Sequence, residues 1–372
     1  MSAIPVVRLD EFNAKAAAYL HIHRQQSTQS FIANVRTVVE SIDAGGALFP
    51  VTVNDAEPDN AWVCSPLTTY ASYAIEEVER LGHPLLTAPL RWMGRGAGRW
   101  LRHAHIDRAV AVNNWLVSTN AYPGLRDIDL DRLLDAAMER WPTHALWFRS
   151  LNSVHHADWL RALAGRGFVL VPSRQVYLFD EVEALSRQRA DLKRDLALLR
   201  RTDLDHRISG DISHDADFQR IAKLYAELYV EKYSRWNPRY DWALIKAWSE
   251  AGLLQLKGIR DEQGVLQGAV GMLRFGNLLT SPIVGYNTAL PAKLGLYRML
   301  AALVMRRAID ESCLVNLSAG VAHFKRQRGG QPAIEYSAVR VDHLPARRRH
   351  AIRTLSAVTR HIGVPIMRRY KL

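Results

Sequence analysis

The fold is decided between residues 253 and 341, where the chain reads LLQLKGIRDEQGVLQGAVGMLRFGNLLTSPIVGYNTALPAKLGLYRMLAALVMRRAIDESCLVNLSAGVAHFKRQRGGQPAIEYSAVRV. Apolar and β-branched runs predict three strands, at residues 253–260, 268–275 and 278–287, the first two joined by the turn DEQG. The third strand leads into PAKLGLY, residues 291–297, where a long amphipathic helix starts. A strand at 314–318, a helical piece at 323–328, the pair Gly329-Gly330 and a strand at 333–341 complete the predicted order.

One glycine, Gly295, lies in the turn between the third strand and the long helix. Glycine lets the backbone N–H groups of a helix start approach an anion closely, and the helix dipole favours negative charge there. A pyrophosphate can be held in this way without any side chain. We therefore expect an anionic group to bind at residues 293–297.

This ordered set of motifs resembles the second half of the GNAT acyltransferase fold, and more narrowly its Fem-like branch. That branch includes the aminoacyl-tRNA-dependent peptidyltransferases of cell-wall synthesis. The resemblance rests on Gly285-Tyr286-Asn287, on Gly295, and on Ser318-Ala319-Gly320 followed by Phe324-Lys325 and Gly329-Gly330. It implies an acyl-CoA (or coenzyme A) cosubstrate bound by Lys293, Leu294, Gly295, Leu296 and Tyr297, with no metal.

The resemblance also implies the groups that act on the acyl carbonyl. Backbone N–H groups on a splayed strand, here around Ile283 to Asn287, would stabilise the oxyanion, which makes Tyr286 and Asn287 candidate catalytic residues. The position that often holds a tyrosine acid is Phe324, which has no proton to give. Lys325 matches a lysine that steadies the oxyanion in Fem-like proteins, with a surface lysine as the alternative.

A general base is not evident from the sequence. Glu335 and Asp342 are candidates only because they lie near these motifs in the chain.

The first half of the chain repeats the pattern of the second. A strand at 145–151, a helix at 155–164 closed by glycines, and a strand at 169–179 follow the order of residues 314–341. Upstream, a strand at 109–118 and a helix at 128–141 are predicted. We expect an α/β (α+β) protein of two tandem GNAT-like domains, each a mixed twisted sheet flanked by helices, at residues 1–180 and 205–372. A basic linker helix, 181–204, joins them.

Composition fits a cytoplasmic globular protein. The 372 residues are 48% hydrophobic and 23% charged, and the N-terminus shows no signal peptide. No apolar run is long enough for a membrane span. The two cysteines, Cys64 and Cys313, form no disulfide framework, and His103, His105, His155 and His156 show no metal-ligand spacing with a carboxylate.

A net charge of +12 favours anionic partners such as CoA thioesters or RNA. Much of it lies in a cluster at residues 187–201 and in the tail from Arg347 onward, and solvated helix faces explain both clusters equally well. The stretch GRGAGR at 94–99 lacks a convincing strand before it, so we expect a basic loop. Tyr225, Tyr229 and Tyr233 recur at helical spacing, which is typical of core packing.

Three functions remain open from the sequence. The first is an N-acyltransferase that uses an acyl-CoA or a carrier-protein thioester and a small-molecule amine acceptor. The second is an aminoacyl-tRNA-dependent transferase, for which tRNA would be the partner. The third is a catalytically inert tandem protein that binds nucleic acid or another protein. The lost tyrosine favours the third, whereas Gly295 and Lys325 favour the first two.

Overall fold

The computed structural model describes residues 4–79, 94, 96–204, 207–210 and 212–370. The strands are β1 (Val38–Ala44), β2 (Ala47–Asp55), β3 (Arg108–Val112), β4 (Ala145–Asn152), β5 (Val169–Phe179), β6 (Ile208–Ser209), β7 (Leu254–Arg260), β8 (Leu266–Phe275), β9 (Leu278–Tyr286), β10 (Leu314–Asn316) and β11 (Gln331–Arg340). They form one mixed sheet in the order β1-β2-β3-β4-β11-β5-β10-β9-β8-β7-β6.

The helices surround this sheet. They are α1 (Leu9–Gln25), α2 (Thr28–Phe31), α3 (Ala74–Glu79), α4 (Leu130–Arg140), α5 (Ala157–Gly165), α6 (Val182–Gln188), α7 (Ala190–Leu204), α8 (Asp215–Tyr225), α9 (Trp242–Glu250), α10 (Leu296–Asp310), α11 (Ala322–Gln327), α12 (Ala346–Val358) and α13 (Val364–Tyr370). Segments with π-helical geometry lie at Thr68–Tyr73, Ala226–Tyr233 and Thr359–Gly363.

The two halves of the chain exchange their last strands across the centre of the sheet. β5, from the first half, pairs with β10 of the second, and β11, from the second half, pairs with β4 of the first. β5 and β11 also pair with each other, antiparallel, with Arg174 opposite Glu335 near the middle. Each half thus contributes one parallel pair, β3 with β4 and β9 with β10. The repeat seen in the sequence has a structural counterpart, while the domain boundaries themselves stay a prediction.

Successive side chains of a strand point to opposite faces of the sheet, and a hydrophobic core lies on each face. In β8, Leu273 and Phe275 belong to the core beneath α1, whereas Val270 and Met272 belong to the core beneath α10. α10 buries Leu296, Met299, Leu300, Leu303 and Val304, which follow the spacing of one helical face. Because α10 is anchored along its length, its N-terminus is held in a fixed position beside the end of β9.

The predicted strand at 109–118 is shorter than expected. β3 ends at Val112, and Asn113 has a φ of 59°, which takes the backbone out of the strand region. The Asn113 side chain then donates to the carbonyl of Ala121 at 2.7 Å, and Asn120 accepts from the backbone N–H of Trp115. A buried loop replaces the second half of the predicted strand.

Two other predictions need correction. The linker at 181–204 is two helices, because Arg189 leaves helical geometry with φ −99° and ψ 111°. The GRGAGR stretch is helical at Gly94 and again across residues 96–103, while Arg95 lies outside the described residues. Among the described helices, none is both long and apolar enough to cross a membrane.

Candidate donor site

β9 and β10 lie side by side over a short distance only. Their pairs are Leu278 with Leu314, Leu279 with Val315 and Thr280 with Asn316. β9 continues to Tyr286, and its other edge stays paired with β8 as far as that residue. Among the described residues, no strand therefore pairs with the edge of residues 281–286 that faces β10. The two strands diverge into a wedge, which we call the β9–β10 wedge.

Pro282 lies two residues after Thr280, the last residue of β9 that pairs with β10. Proline has no N–H to donate to a neighbouring strand. The pairing of β8 with β9 also shifts register between Gly271 and Leu273, beside the same part of β9. Such an irregularity bends a strand and increases its twist. Both features lie where the pairing of β9 with β10 ends, after Thr280.

The start of α10 lies beside the end of β9, since the rings of Tyr286 and Tyr297 are 6.1 Å apart. A 3₁₀ turn, Ala292–Leu294, leads to Gly295, which has a φ of 70° and a ψ of 26°. Within the described residues no side chain caps α10. Its first N–H groups, which have no intrahelical partner, therefore retain the capacity to bind an anion. Lys293 and Leu294 are exposed, while Leu296 is buried in the core.

The corresponding place in the first half is closed. β3 ends at Val112, which still pairs with Phe148 of β4, so no unpaired extension follows. The helix after it, α4, is capped by Asp129, whose Oδ1 accepts from the N–H of Arg132 at 3.1 Å. Gly45 packs so closely there that a Cβ would lie 2.3 Å from the Asp129 carbonyl oxygen. A carboxylate already occupies the helix start, which opposes a second anion.

Residues 186–326 match the family model described as acetyltransferase (GNAT) domain. They contain both the β9–β10 wedge and the loop with Gly295 before α10. This segment is a GNAT acyltransferase domain. The fold class and the acyltransferase assignment predicted from the sequence are thereby confirmed. No curated protein matches the chain.

Solved structures similar to this chain include a conserved protein of unknown function from Bacteroides thetaiotaomicron VPI-5482, 12% identical, covering 90% of this chain and 92% of its own, with a TM-score of 0.47. L-PGS from Bacillus licheniformis is 9% identical, covers 66% of this chain and 82% of its own, and has a TM-score of 0.48. FemX is 11% identical, covers 56% of this chain and 76% of its own, and has a TM-score of 0.43.

Lys325 lies in α11 and is buried, with 3% of its surface exposed. Its Nζ donates hydrogen bonds to the carbonyls of Leu317 (2.7 Å), Ser318 (3.2 Å) and Ala319 (2.7 Å). Burial and then the positive charge of Arg174 lower the pKa of Lys325 to about 7. The alternative of a surface lysine is wrong. Lys325 ties down the loop that directly follows β10, at the wedge of the GNAT domain.

Phe324, which the resemblance places at the position of the usual GNAT acid, is surrounded by aromatic and cationic groups. Its ring centroid is 4.8 Å from that of Tyr297, and the guanidinium of Arg328 lies 3.4 Å from its centroid. Burial raises the pKa of Tyr297, so its phenol stays protonated. A proton-bearing phenol therefore lies next to the position that lacks one.

Tyr286 and Asn287 lie at the end of β9 with different surroundings. Tyr286 is half-buried, and burial raises the pKa of its phenol. Asn287 is held by Gln267, to whose Oε1 its Nδ2 donates at 2.9 Å and to whose carbonyl its N–H donates at 2.8 Å. Asn287 thus anchors the strand end, while Tyr286 faces the aromatic groups around Tyr297.

The second linker helix, α7, packs directly on Gly295, in the loop before α10. A Cβ at Gly295 would lie 3.0 Å from Cδ2 of Leu198. Asp195, buried at 1% exposure, accepts from Nε of Arg298 at 2.6 Å and from Nε of Arg328 at 2.5 Å. α7 is therefore bonded to the first turn of α10 and to the end of α11, and it forms part of the wall of the site.

The two candidate bases are both engaged by arginines. Glu335 is buried and accepts from Nε of Arg174 at 2.7 Å. Asp342 lies nearer the surface, 3.1 Å from Arg353 and 3.7 Å from Arg340. Because each carboxylate is already paired with an arginine, neither is assigned as the base.

Sequence reasoning missed polar residues at the same end of the sheet. Asn316, the last residue of β10, is 1% exposed, and its Nδ2 has no hydrogen-bond partner among the described residues. Arg174 and Trp62 were passed over because their neighbours come from distant parts of the chain. Pro282 was the available signal for the wedge, since a proline inside a strand marks lost pairing.

The remaining predictions concern metals, thiols and the basic tail. No cluster of potential metal ligands occurs within the described part of the chain. Both cysteines are buried free thiols, and burial raises their pKa, which suits packing rather than nucleophilic use. In the tail, Arg348 is buried and donates to the Thr143 carbonyl, and Arg349 donates to that of Leu344.

Proposed function

We propose that this protein is an N-acyltransferase that binds an acyl-CoA at the β9–β10 wedge and transfers the acyl group to a small amine. One observation carries the proposal: β9 runs on to Tyr286 after its pairing with β10 has ended at Thr280, beside the uncapped start of α10. The wedge offers backbone groups to the acyl arm, and the helix start offers N–H groups to the pyrophosphate.

The chemistry follows from these groups. A neutral amine attacks the thioester carbonyl, whose oxygen becomes an oxyanion. The C–S bond then breaks, the leaving sulfur takes a proton from a phenol, and the amine nitrogen gives up its surplus proton, which restores the phenol directly or through solvent. Unpaired N–H groups of residues 281–286, excluding Pro282, are the proposed oxyanion donors. Lys325 acts on the reaction by holding the loop at the wedge, and Tyr297 and Tyr286 supply phenols near the leaving group.

The test is direct binding of acetyl-CoA to the wild-type protein and to two variants of the loop glycine. Gly295→Asp places a carboxylate at the helix start, and Gly295→Asn places a neutral side chain of the same shape there. Loss of binding in the first variant and retention in the second supports the proposal. Equal binding by the wild type and both variants rejects it.

An aminoacyl-tRNA donor is the second candidate, and one observation favours it. Lys193, Arg200 and Arg201 are exposed on α7, the helix that packs on the donor loop. A row of cations beside the donor site suits the phosphates of an RNA strand. The same row also suits a solvated helix face, so the nucleotide thioester remains the preferred donor.

A further inference from the structure

Two arginines converge on one buried tryptophan at the centre of the sheet. The guanidinium carbon of Arg174, in β5, lies 4.7 Å from the ring centroid of Trp62, and that of Arg149, in β4, lies 5.2 Å from it. Trp62 is 7% exposed and is fixed by a hydrogen bond from its Nε1 to Oδ1 of Asn237 at 2.9 Å. The exchanged strand β11 lies between β4 and β5, so both halves of the chain build this cluster.

The charges in this cluster do not balance. Glu335 pairs with Arg174, at 2.7 Å from Nε. Arg149 donates only to neutral oxygens, the Val63 carbonyl at 2.6 Å and Asn114 Oδ1 at 2.7 Å. Among the described residues no carboxylate forms an ion pair with it. Burial, and then the charge of Arg174, lower the pKa of Arg149.

Two polar groups without a partner among the described residues directly follow Ser118, whose carbonyl Arg174 binds. Arg174 donates to the carbonyl of Ser118, and the next two residues, Thr119 and Asn120, are buried. Thr119 Oγ1 and Asn120 Nδ2 have no hydrogen-bond partner in the described part of the chain. A partly buried cation without an ion pair, such as Arg149, and buried unpaired polar groups are each unfavourable unless a ligand satisfies them. The cluster is therefore suited to a ligand that brings negative charge and acceptor oxygens.

The cluster is linked to the donor site through one loop. Arg174 Nη1 donates to Ser318 Oγ at 2.9 Å, and the carbonyl of Ser318 accepts from Lys325 Nζ. Ser318 lies two positions after Asn316, where the pairing of β9 and β10 ends. A molecule bound at the arginines thus lies beside the wedge where the acyl group is transferred.

We infer that Arg149, Arg174 and Trp62 bind the anionic group, a carboxylate or a phosphate, of the amine acceptor. The planar guanidinium fork matches either group. This inference rests on the proposed function, because it names the chemical class of the acceptor: a small amine that also carries an anion. Arg149 is the specificity-determining residue, since no carboxylate of the described residues forms an ion pair with it and Glu335 is already paired with Arg174.

The test measures acceptor binding without any donor, by calorimetry. The probes are two matched pairs: β-alanine with 3-aminopropanamide, and O-phosphoethanolamine with ethanolamine. We expect the anionic member of at least one pair to bind the wild type and the neutral member not to. Arg149→Met should weaken that binding by about tenfold or more, the loss typical of a charge-assisted hydrogen bond, and Arg149→Lys should weaken it less. The two pairs distinguish carboxylate from phosphate.

Arg140→Met is the matched control, because Arg140 also lies over a tryptophan, Trp141 at 4.8 Å, and pairs with a carboxylate far from the cluster. It should bind as the wild type does. Equal binding of charged and neutral probes, or unchanged binding in a folded Arg149→Lys protein and a folded Arg149→Met protein, overturns the inference. Charge-selective binding without acyl transfer to the bound probe supports the anion site and counts against the proposed reaction alone.

Discussion

Thr280 of β9 and Asn316 of β10 form the last residue pair between these two parallel strands. The proposed donor site depends on the end of strand pairing at these two residues. Beyond it, β9 keeps its partner on one side and presents its other edge to the wedge. In the first half, by contrast, β3 ends at a residue that is still paired. The two halves share an architecture, and within the described residues the opening is found in the second half.

Gly295→Asp should reduce acetyl-CoA affinity at least about tenfold, because a carboxylate at the helix start repels the pyrophosphate. The sequence alone suggests that this change leaves the fold intact. The structure corrects that expectation: φ is 70°, and a Cβ would lie 3.0 Å from Leu198. Gly295→Asn is the necessary control, since both residues tolerate left-handed geometry and strain Leu198 alike. Isothermal titration of both variants with acetyl-CoA separates the effect of charge from the effect of strain. Equal affinities of the two variants would refute anion binding at the start of α10.

Lys325→Ala should lower turnover by about tenfold or more if the loop after β10 shapes the oxyanion site. Stability should fall as well, by roughly 1–3 kcal/mol or more, since three carbonyls lose their donor. For an exposed lysine, by contrast, the same substitution would change stability very little. Steady-state kinetics and thermal unfolding check the two effects, with Lys223→Ala, at a side chain that is 67% exposed on α8, as the control. Wild-type turnover in a destabilised Lys325→Ala protein would leave this lysine a purely structural role.

The pH dependence of stability should report the burial of Lys325. Its folded pKa is about 7, below the ordinary value of 10.5, so the unfolded chain binds more protons between these values. Stability contributed by this group therefore rises with pH across that window, with a limiting slope of about 1.4 kcal/mol per pH unit. The effect is isolated by the difference in unfolding free energy between the wild type and Lys325→Met, measured with urea at pH 7 to 9. A flat difference would mean that the folded pKa is not lowered.

Asp195→Asn should destabilise the protein by roughly 3–5 kcal/mol, because it leaves the buried Arg328 without its carboxylate. Asp191→Asn, one turn earlier on α7, removes a surface pair with Arg194 and should cost at most about 1 kcal/mol. Chemical unfolding of both variants makes the comparison. Similar losses would show that α7 is not held to α10 and α11 by this carboxylate.

Substitutions on α7 can distinguish a CoA donor from a tRNA donor. The sequence suggests neutralising Arg347, Arg348 and Arg349, but two of these bond to backbone carbonyls, so the change would also disturb folding. Arg200 and Arg201 are exposed, and their double change to serine is cleaner. With a CoA donor, affinity should stay within about twofold; with a tRNA donor, the salt slope of binding should fall by about one unit per lost contact. Joint loss of activity and tRNA affinity would reverse our preference.

The strands of the second half were predictable because hydrophobic patterning fixes strands and amphipathic helices locally. Predicted strands at 253–260, 268–275 and 278–287 correspond to β7, β8 and β9. The repeat in the first half was visible for the same reason. The exchange of β5 and β11 was not, since strand order depends on pairing between distant segments and leaves no local pattern.

The site was only partly predictable. Gly295 stands out because a left-handed turn before a helix favours glycine. The burial of Lys325 was missed, because its three acceptors belong to a loop whose path depends on β10 and Arg174. The Arg149–Trp62 contact was beyond reach for the same reason: it joins residues 87 positions apart across the sheet.

The most direct test of the donor site is amide hydrogen exchange with and without acetyl-CoA. The account predicts that the donor slows exchange in residues 281–286 and in the first turn of α10, and not in residues 113–129 of the first half. Protection confined to the first half, or no protection around Gly295 at a donor concentration that saturates the enzyme, would contradict the account.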